Sequence, residues 1–277
     1  MILRNMIYKV ALLIMIITSS IMMLFPIYWL IKGSFEPDTD LIKMPPYFIP
    51  IHFVTYAYSY VIKDLRFLIY VRNSLFVAFS TIAISIPISL LGGYSLARFN
   101  YPGKRFITNF ALFSYTIPQI LLVIPFYQLL VSIKLYNSLF GLIIAHALYA
   151  TPFCLLLLAS FIETIPKEIE ESALIDGASV LQVIFRIILP LSLPGIATAA
   201  IYTFLLSWND FAFALVIITS DKIQTVPLAI NRIFSGEEAW WGPLLASSTI
   251  ATIPVLIIFL IFERYLVSGL TLGAVKR

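Results

Sequence analysis

The chain has 277 residues, of which 61% are hydrophobic and 12% charged, whereas a soluble domain carries roughly 45–50% and about 25%; this composition excludes a globule that lives in water. Its formal net charge of +4 comes without a basic patch interleaved with aromatics, which excludes nucleic acid as a partner and leaves topology and attraction to anionic lipid headgroups. The single cysteine, Cys154, excludes an intrachain disulfide and reads as a packing residue.

In chain order, the run from Ile7 to Ile31 is almost uninterrupted apolar sequence and outreaches about 30 Å of hydrocarbon at roughly 1.5 Å per residue. It exceeds the apolar region of a signal peptide, about 7–15 residues, and no small-residue cleavage site follows. Further spans are predicted at Val71–Ala97, Phe106–Val131, Leu139–Ile162, Leu193–Ile218 and Leu245–Val267. The expected fold is therefore all-α, a polytopic membrane protein of six transmembrane helices with both termini on one side. Prolines 26, 87, 118, 125 and 254 fall inside these spans, where neighbouring helices or water can satisfy the freed backbone.

The short Arg98–Arg105 connection carries Arg98, Lys104 and Arg105 on the same side as Arg4, Lys9, Lys167, Arg186, Lys276 and Arg277, so that side is read as cytoplasmic. On the other side lie two longer segments. One, Lys32–Arg72, is rich in proline and tyrosine and reads as an extended extracytoplasmic segment; the other, Asp221–Gly242, contains Glu237, Glu238, Trp240 and Trp241. The aromatics fit a belt at the headgroup level. The domain expectation is residues 1–70 as first helix plus extracytoplasmic segment, 71–268 as a five-helix core, and 269–277 as a cytoplasmic tail.

One stretch between the fourth and fifth spans, residues 163–190, does not read as a span. Thr164 is expected to cap a helix that has Pro166 in its first turn and Glu168, Glu170 and Glu171 near the positive end of its dipole. Gly177 should end it. Ser179 and Gln182 make a capping box for a second helix with an apolar stripe of Val180, Val183, Ile184, Ile187 and Ile188, and Pro190 is expected to stop it. From the residues alone, this helix-turn-helix reads equally as a receiver for a soluble partner or as an amphipathic connector in the headgroups.

The pattern Glu171-Ser172-Ala173, three residues, Gly177, nine residues, Ile187-Ile188-Leu189-Pro190 resembles the EAA signature of binding-protein-dependent ABC transporter permeases. Asn73-Ser74, Leu96-Ala97-Arg98-Phe99, Tyr101-Pro102-Gly103, Ile175-Asp176-Gly177-Ala178, Ser207-Trp208-Asn209-Asp210-Phe211 and the ending Gly269–Lys276 are similar to the sugar-importer branch, which includes the maltose permease MalG. The resemblance runs from about Asn73 onward. It implies a coupling helix docking on an ATPase through Glu171, Ser172, Ala173, Asp176, Gly177, Ala178, Leu189 and Pro190, and a tail reaching between ATPase subunits through Gly269, Leu272 and Gly273. It also implies the partners: a second, MalF-like permease, two ATP-hydrolysing subunits and an extracytoplasmic solute-binding protein.

This chain is not expected to be an enzyme: it has no Gly-x-x-x-x-Gly-Lys-Ser/Thr loop, so ATP and Mg belong to the partner ATPases and no cofactor to this chain. No nucleophile-base pair or metal-ligand cluster appears within the spans. Trp208, Asn209 and Asp210 are candidates for the translocation path, because an acid inside a span is costly to bury; a hydrogen bond fixing a helix interface is the other reading. His146 is read as an interhelical donor. Import of glycerol phosphate or polyols is the competing substrate class, and an ion-coupled secondary transporter the competing mechanism. The expected location is the cell membrane.

Overall fold

The structure is a computed structural model that describes residues 2–235 and 240–274, with side chains for 8–235 and 240–263. Among the described residues there is no strand. The principal helices are α1 (Ile2–Gly33), α2 (Phe67–Arg98), α3 (Lys104–Thr116), α4 (Gln119–Ser132), α5 (Leu139–Glu163), α6 (Lys167–Ile175), α7 (Val180–Leu191), α8 (Leu193–Trp208), α9 (Ala212–Ile217), α10 (Val226–Phe234) and α11 (Trp241–Ala274). Four of them, α1, α2, α5 and α11, are long and apolar enough to cross a bilayer unaided, and the number rises to six if two bent pairs each count as one span.

Two of the expected spans are interrupted. The expected span Phe106–Val131 is broken between α3 and α4 by a 106° bend. Pro118 has no N–H and pushes its predecessor out of the helical region; Ile117 accordingly sits at φ −71°, ψ 124°. The expected span Leu193–Ile218 stops at Trp208 and resumes at Ala212. Prolines 26, 87, 125 and 254, by contrast, stay inside continuous helices.

Pro190 does not stop the second loop helix. A π-turn at Ile184–Ile188 precedes it, and the wider turn absorbs the missing N–H. The break falls at Ser192, with a 78° bend between α7 and α8. Thr164 is not an N-cap either: it ends α5, its hydroxyl donating back to Phe161 O at 2.7 Å, and α6 starts after Pro166 without a side-chain cap.

The chain forms two compact units. Unit 1 comprises Met1–Phe67 and Ile230–Ile253. In it, every side chain from Tyr8 to Pro26 of α1 is exposed, as a helix that faces lipid or another chain would be. The segment after α1, expected to be extended, is held by side-chain bonds. Lys32 and Glu36 form a buried ion pair at 2.6 Å, with Lys32 Nζ 4.5 Å from the Trp29 ring. Asp38 accepts from Tyr56 Oη at 2.8 Å and from Gly242 N at 2.6 Å; burial and this bond push the Tyr56 phenol up to about 12. Asp40 accepts from Lys43 at 2.7 Å and pairs with His52 Nδ1 at 2.7 Å, and these two hydrogen bonds hold its carboxyl below the ordinary 3.8. Of the second outer segment, Glu237 and Glu238 lie outside the described residues.

Unit 2 comprises Leu68–Ala229 and Pro254–Arg277 and has two apolar cores. One joins Val77, Val123, Leu130, Leu142, Phe213 and Ile217; the other joins Leu90, Tyr94, Leu158, Ile162, Val183 and Ile188. Helices α2 and α5 approach closely at Gly93, where a Cβ would lie 2.9 Å from Ala159 N; small residues permit such backbone approach in membranes. Asn73 and Ser74 pin the segment after α9: Asn73 Nδ2 donates to Lys222 O at 3.1 Å and Gln224 O at 3.0 Å, and Ser74 Oγ accepts from Val226 N at 2.8 Å. Cys154 packs in the second core, its Sγ 3.3 Å from Thr203 Oγ1.

Candidate functional site

The loop between α5 and α8 folds as a helix-turn-helix whose corner is fixed by local chemistry. At the end of α6, Ala178 N donates to Ala173 O at 3.0 Å and Gly177 N to Leu174 O at 3.1 Å. This is a Schellman ending, which needs a left-handed residue; Gly177 supplies it at φ +88°, and a Cβ there would meet nothing within 4 Å. Ser179 and Gln182 then close the predicted capping box.

The residues implied by the EAA resemblance divide into two sets. Ala173, Ala178 and Leu189 pack against the second core, while Glu171, Ser172, Asp176, Gly177 and Pro190 are exposed. Beside them, apolar side chains that a soluble surface would hide stand in the open: Ile175 is 85% and Leu181 61% exposed. Of the predicted stripe, Val183, Ile184 and Ile188 are buried and Ile187 half-buried, but Val180 joins the exposed set. A rigid corner with outward apolar side chains is a surface prepared for contact.

One anchor of this loop escapes sequence reasoning. Glu170 is buried, and Arg98 at the end of α2 reaches it with Nε at 2.6 Å while Nη2 donates to Ile165 O at 2.7 Å. The two side chains are 7% and 6% exposed. In the sequence Glu170 is simply one of three acids in a first turn. The one available signal was its place among them, one turn from Pro166 on the face that carries Ala173.

The second candidate is a cavity of about 560 Å³ in unit 2, lined by Gln119, Tyr149, Tyr202, Leu205, Leu206, Asn209, Asp210, Phe211 and Ala212. The α3–α4 and α8–α9 breaks both border it. Irregular backbone at membrane depth is tolerated where protein or a cavity satisfies it, and Asp210 does much of that here. Its carboxylate accepts from Phe213 N at 3.2 Å, Ala214 N at 3.0 Å and Gln119 Nε2 at 2.5 Å. By capturing the two amides it starts α9 and interrupts the span. His146, fully buried in α5, lies with Nε2 3.1 Å from Asp210 Oδ2, off the hydrogen-bond line, and with Nδ1 2.9 Å from Ser207 Oγ. His146 thus meets a carboxylate in the break between α8 and α9.

Of the three path candidates, Asn209 is exposed to the cavity, Asp210 is buried in its wall, and Trp208 is buried against Phe204 at 5.6 Å, away from the lining. Gly269, Leu272 and Gly273 fall in the last turns of α11, where side chains lie outside the described residues. Among the described residues no group of three histidine, cysteine or acidic side chains is placed to hold a metal.

The profile of a family described as "Binding-protein-dependent transport system inner membrane component" matches residues 89–271. Among curated proteins, the chain is 33% identical to the inner membrane ABC transporter permease protein YcjP of Escherichia coli K12, over 92% of each chain. It is 34% identical to the trehalose/maltose transport system permease protein MalG of Thermococcus litoralis, over 97% of each. Identity is also 34% to the diacetylchitobiose uptake permease DasC of Streptomyces coelicolor, over 92% of each. Among solved structures, a chain of a bacterial ABC transporter that imports the acidic polysaccharide alginate superposes with a TM-score of 0.78 over 95% of this chain and 97% of that one, at 21% identity. At that identity the likeness is one of fold.

Proposed function

Because the chain belongs to the family of binding-protein-dependent transport system inner membrane components, we propose that it is a permease subunit of an ATP-driven importer of sugars. It passes the movement of separate ATPases to its helices through the α6–α7 corner. The observation that carries this is the division of the corner into buried anchors and an exposed display: Glu171, Asp176 and Gly177 face outward beside Ile175 and Leu181, while Ala173, Ala178 and the Arg98–Glu170 pair fasten the corner to the bundle. A push on such a corner is delivered to α2 and α8 rather than dissipated in a loop. The trehalose/maltose and diacetylchitobiose permeases among its relatives support the solute class.

In this reading ATP and Mg bind the two ATPases, a second, MalF-like permease completes the pathway, and a solute-binding protein delivers the sugar. The α6–α7 corner and both termini lie in the cytoplasm, in keeping with the basic residues at Arg98, Lys104 and Arg105. The tail residues Gly269, Leu272 and Gly273 are assigned to ATPase contact by the same resemblance.

The test is sugar-dependent ATP hydrolysis in liposomes by this chain with its second permease, ATPase and binding protein, comparing wild type with Gly177→Asp. The wild type should be stimulated by loaded binding protein, and the variant should insert and assemble yet lose that stimulation. Stimulation that survives Gly177→Asp unchanged refutes the coupling role of the corner.

A further inference from the structure

We propose that the cavity where the α3–α4 and α8–α9 breaks meet is a subsite for an uncharged sugar, contributed by this chain itself, with Asn209, Gln119 and Tyr202 as hydroxyl-binding groups. The inference rests on the importer reading above and adds to it a place and a charge class.

Three observations carry it. First, the cavity, about 560 Å³, falls within the range of roughly 300–1,000 Å³ usual for small-molecule sites. Its lining mixes aromatic faces with amide and phenol groups. Tyr149 and Tyr202 offer flat apolar surface with a polar tip, and Tyr202 is backed by Phe153 with ring centroids 4.0 Å apart. A pyranose presents the same combination, an apolar ring face and a rim of hydroxyls.

Second, the polar groups are sorted between structure and ligand. Asp210 spends its oxygens on Gln119 Nε2 and two backbone amides, with His146 behind it. It is therefore a positioning residue: it holds Gln119 by its nitrogen, and the amide carbonyl is left for another partner. The Asn209 amide stands exposed one residue before it.

Third, the charge is one-sided. The lining contains one carboxylate and no lysine or arginine. Phosphate and carboxylate ligands are held by cationic side chains or charge-assisted donors, and none is present in this wall. An uncharged solute fits; a sugar phosphate or uronate meets Asp210 without a compensating cation.

The experiment uses the four-component transporter in liposomes, with trehalose, maltose, glycerol 3-phosphate and glucuronate as probes. Asn209→Cys is labelled with N-ethylmaleimide, and wild type serves as the blank because Cys154 is fully buried. The neutral disaccharide that stimulates ATP hydrolysis should slow labelling of Asn209→Cys about tenfold, and neither anion should slow it. Tyr202→Ala should raise the KM of uptake about five- to tenfold, the loss of one hydrogen bond and a stacking face. If a disaccharide stimulates hydrolysis yet leaves both the labelling rate and that KM unchanged, the subsite is overturned and the importer reading stands. If an anion protects Asn209→Cys instead, the uncharged class is overturned. If no loaded binding protein stimulates hydrolysis, the importer reading falls and the subsite with it.

Discussion

Arg98→Met should loosen α6 far more than the loss of an ordinary ion pair would. An exposed pair is worth about 0–1 kcal/mol, but Arg98 and Glu170 are 7% and 6% exposed, and the same guanidinium also holds the Ile165 carbonyl. Removing one member leaves a carboxylate buried without a counter-charge, which costs about 3–5 kcal/mol. If opening of α6 governs exchange, its amides should exchange about two to four powers of ten faster, at roughly 1.4 kcal/mol per tenfold. Glu170→Met should do similar damage. The double variant Arg98→Met/Glu170→Met removes both charges and should recover most of the loss, short of the roughly 1–3 kcal/mol of the orphaned Ile165 carbonyl. Hydrogen exchange on the protein in nanodiscs reads all three. Exchange in Arg98→Met within tenfold of wild type, or a double variant no better than the singles, would refute the reasoning.

Gly93→Val should lower the melting temperature in detergent, since the new Cβ would lie 2.9 Å from Ala159 N and 3.3 Å from Leu155 O, and overpacking costs about 1–3 kcal/mol; an unchanged melting temperature contradicts the close approach of α2 and α5. Asp210→Ala should free the amides of Phe213 and Ala214, at about 1–3 kcal/mol for each buried group left unpaired, with Asp210→Asn milder because it keeps one acceptor; exchange of those two amides is the readout. In unit 1, the Asp40 carboxyl is held below 3.8 by Lys43 and His52. Its stabilisation of the segment is therefore complete above pH 3.8 and lost as pH falls through the lowered value. Exchange across residues 38–52, taken relative to the intrinsic amide rate at each pH, should rise only as pH falls below 3.8, and Asp40→Asn should flatten that rise.

The helix-turn-helix was legible because its signals are local. A left-handed glycine and a Ser-x-x-Gln box act within one turn of chain, so Gly177, Ser179 and Gln182 could be placed from their neighbours alone. Proline was only half legible. Pro118 breaks its span while Pro87 and Pro125 stay within continuous helices, because whether the freed backbone finds another partner depends on what packs beside it. At the Pro118 break the Ile117 carbonyl accepts from Tyr149 Oη at 3.4 Å, on a helix the local sequence does not name. Thr164 was misread for a related reason: a hydroxyl between two helices can serve either, and Phe161 O was the nearer partner.

By itself, then, the sequence determined the solvent, the lengths of the uninterrupted spans, the helix-turn-helix and its corner, since hydropathy, capping and backbone preference are properties of a few consecutive residues. Only the tertiary structure decided what the polar residues do. Arg98 and Glu170 are 72 residues apart, and Gln119 and Asp210 are 91 apart. A buried charge takes whichever complementary group the packing of helices brings within about 3 Å. That neighbour is set by the whole bundle, which is why Asp210, an isolated acid in the sequence, is in the structure the post on which both broken helices and the cavity wall are fixed.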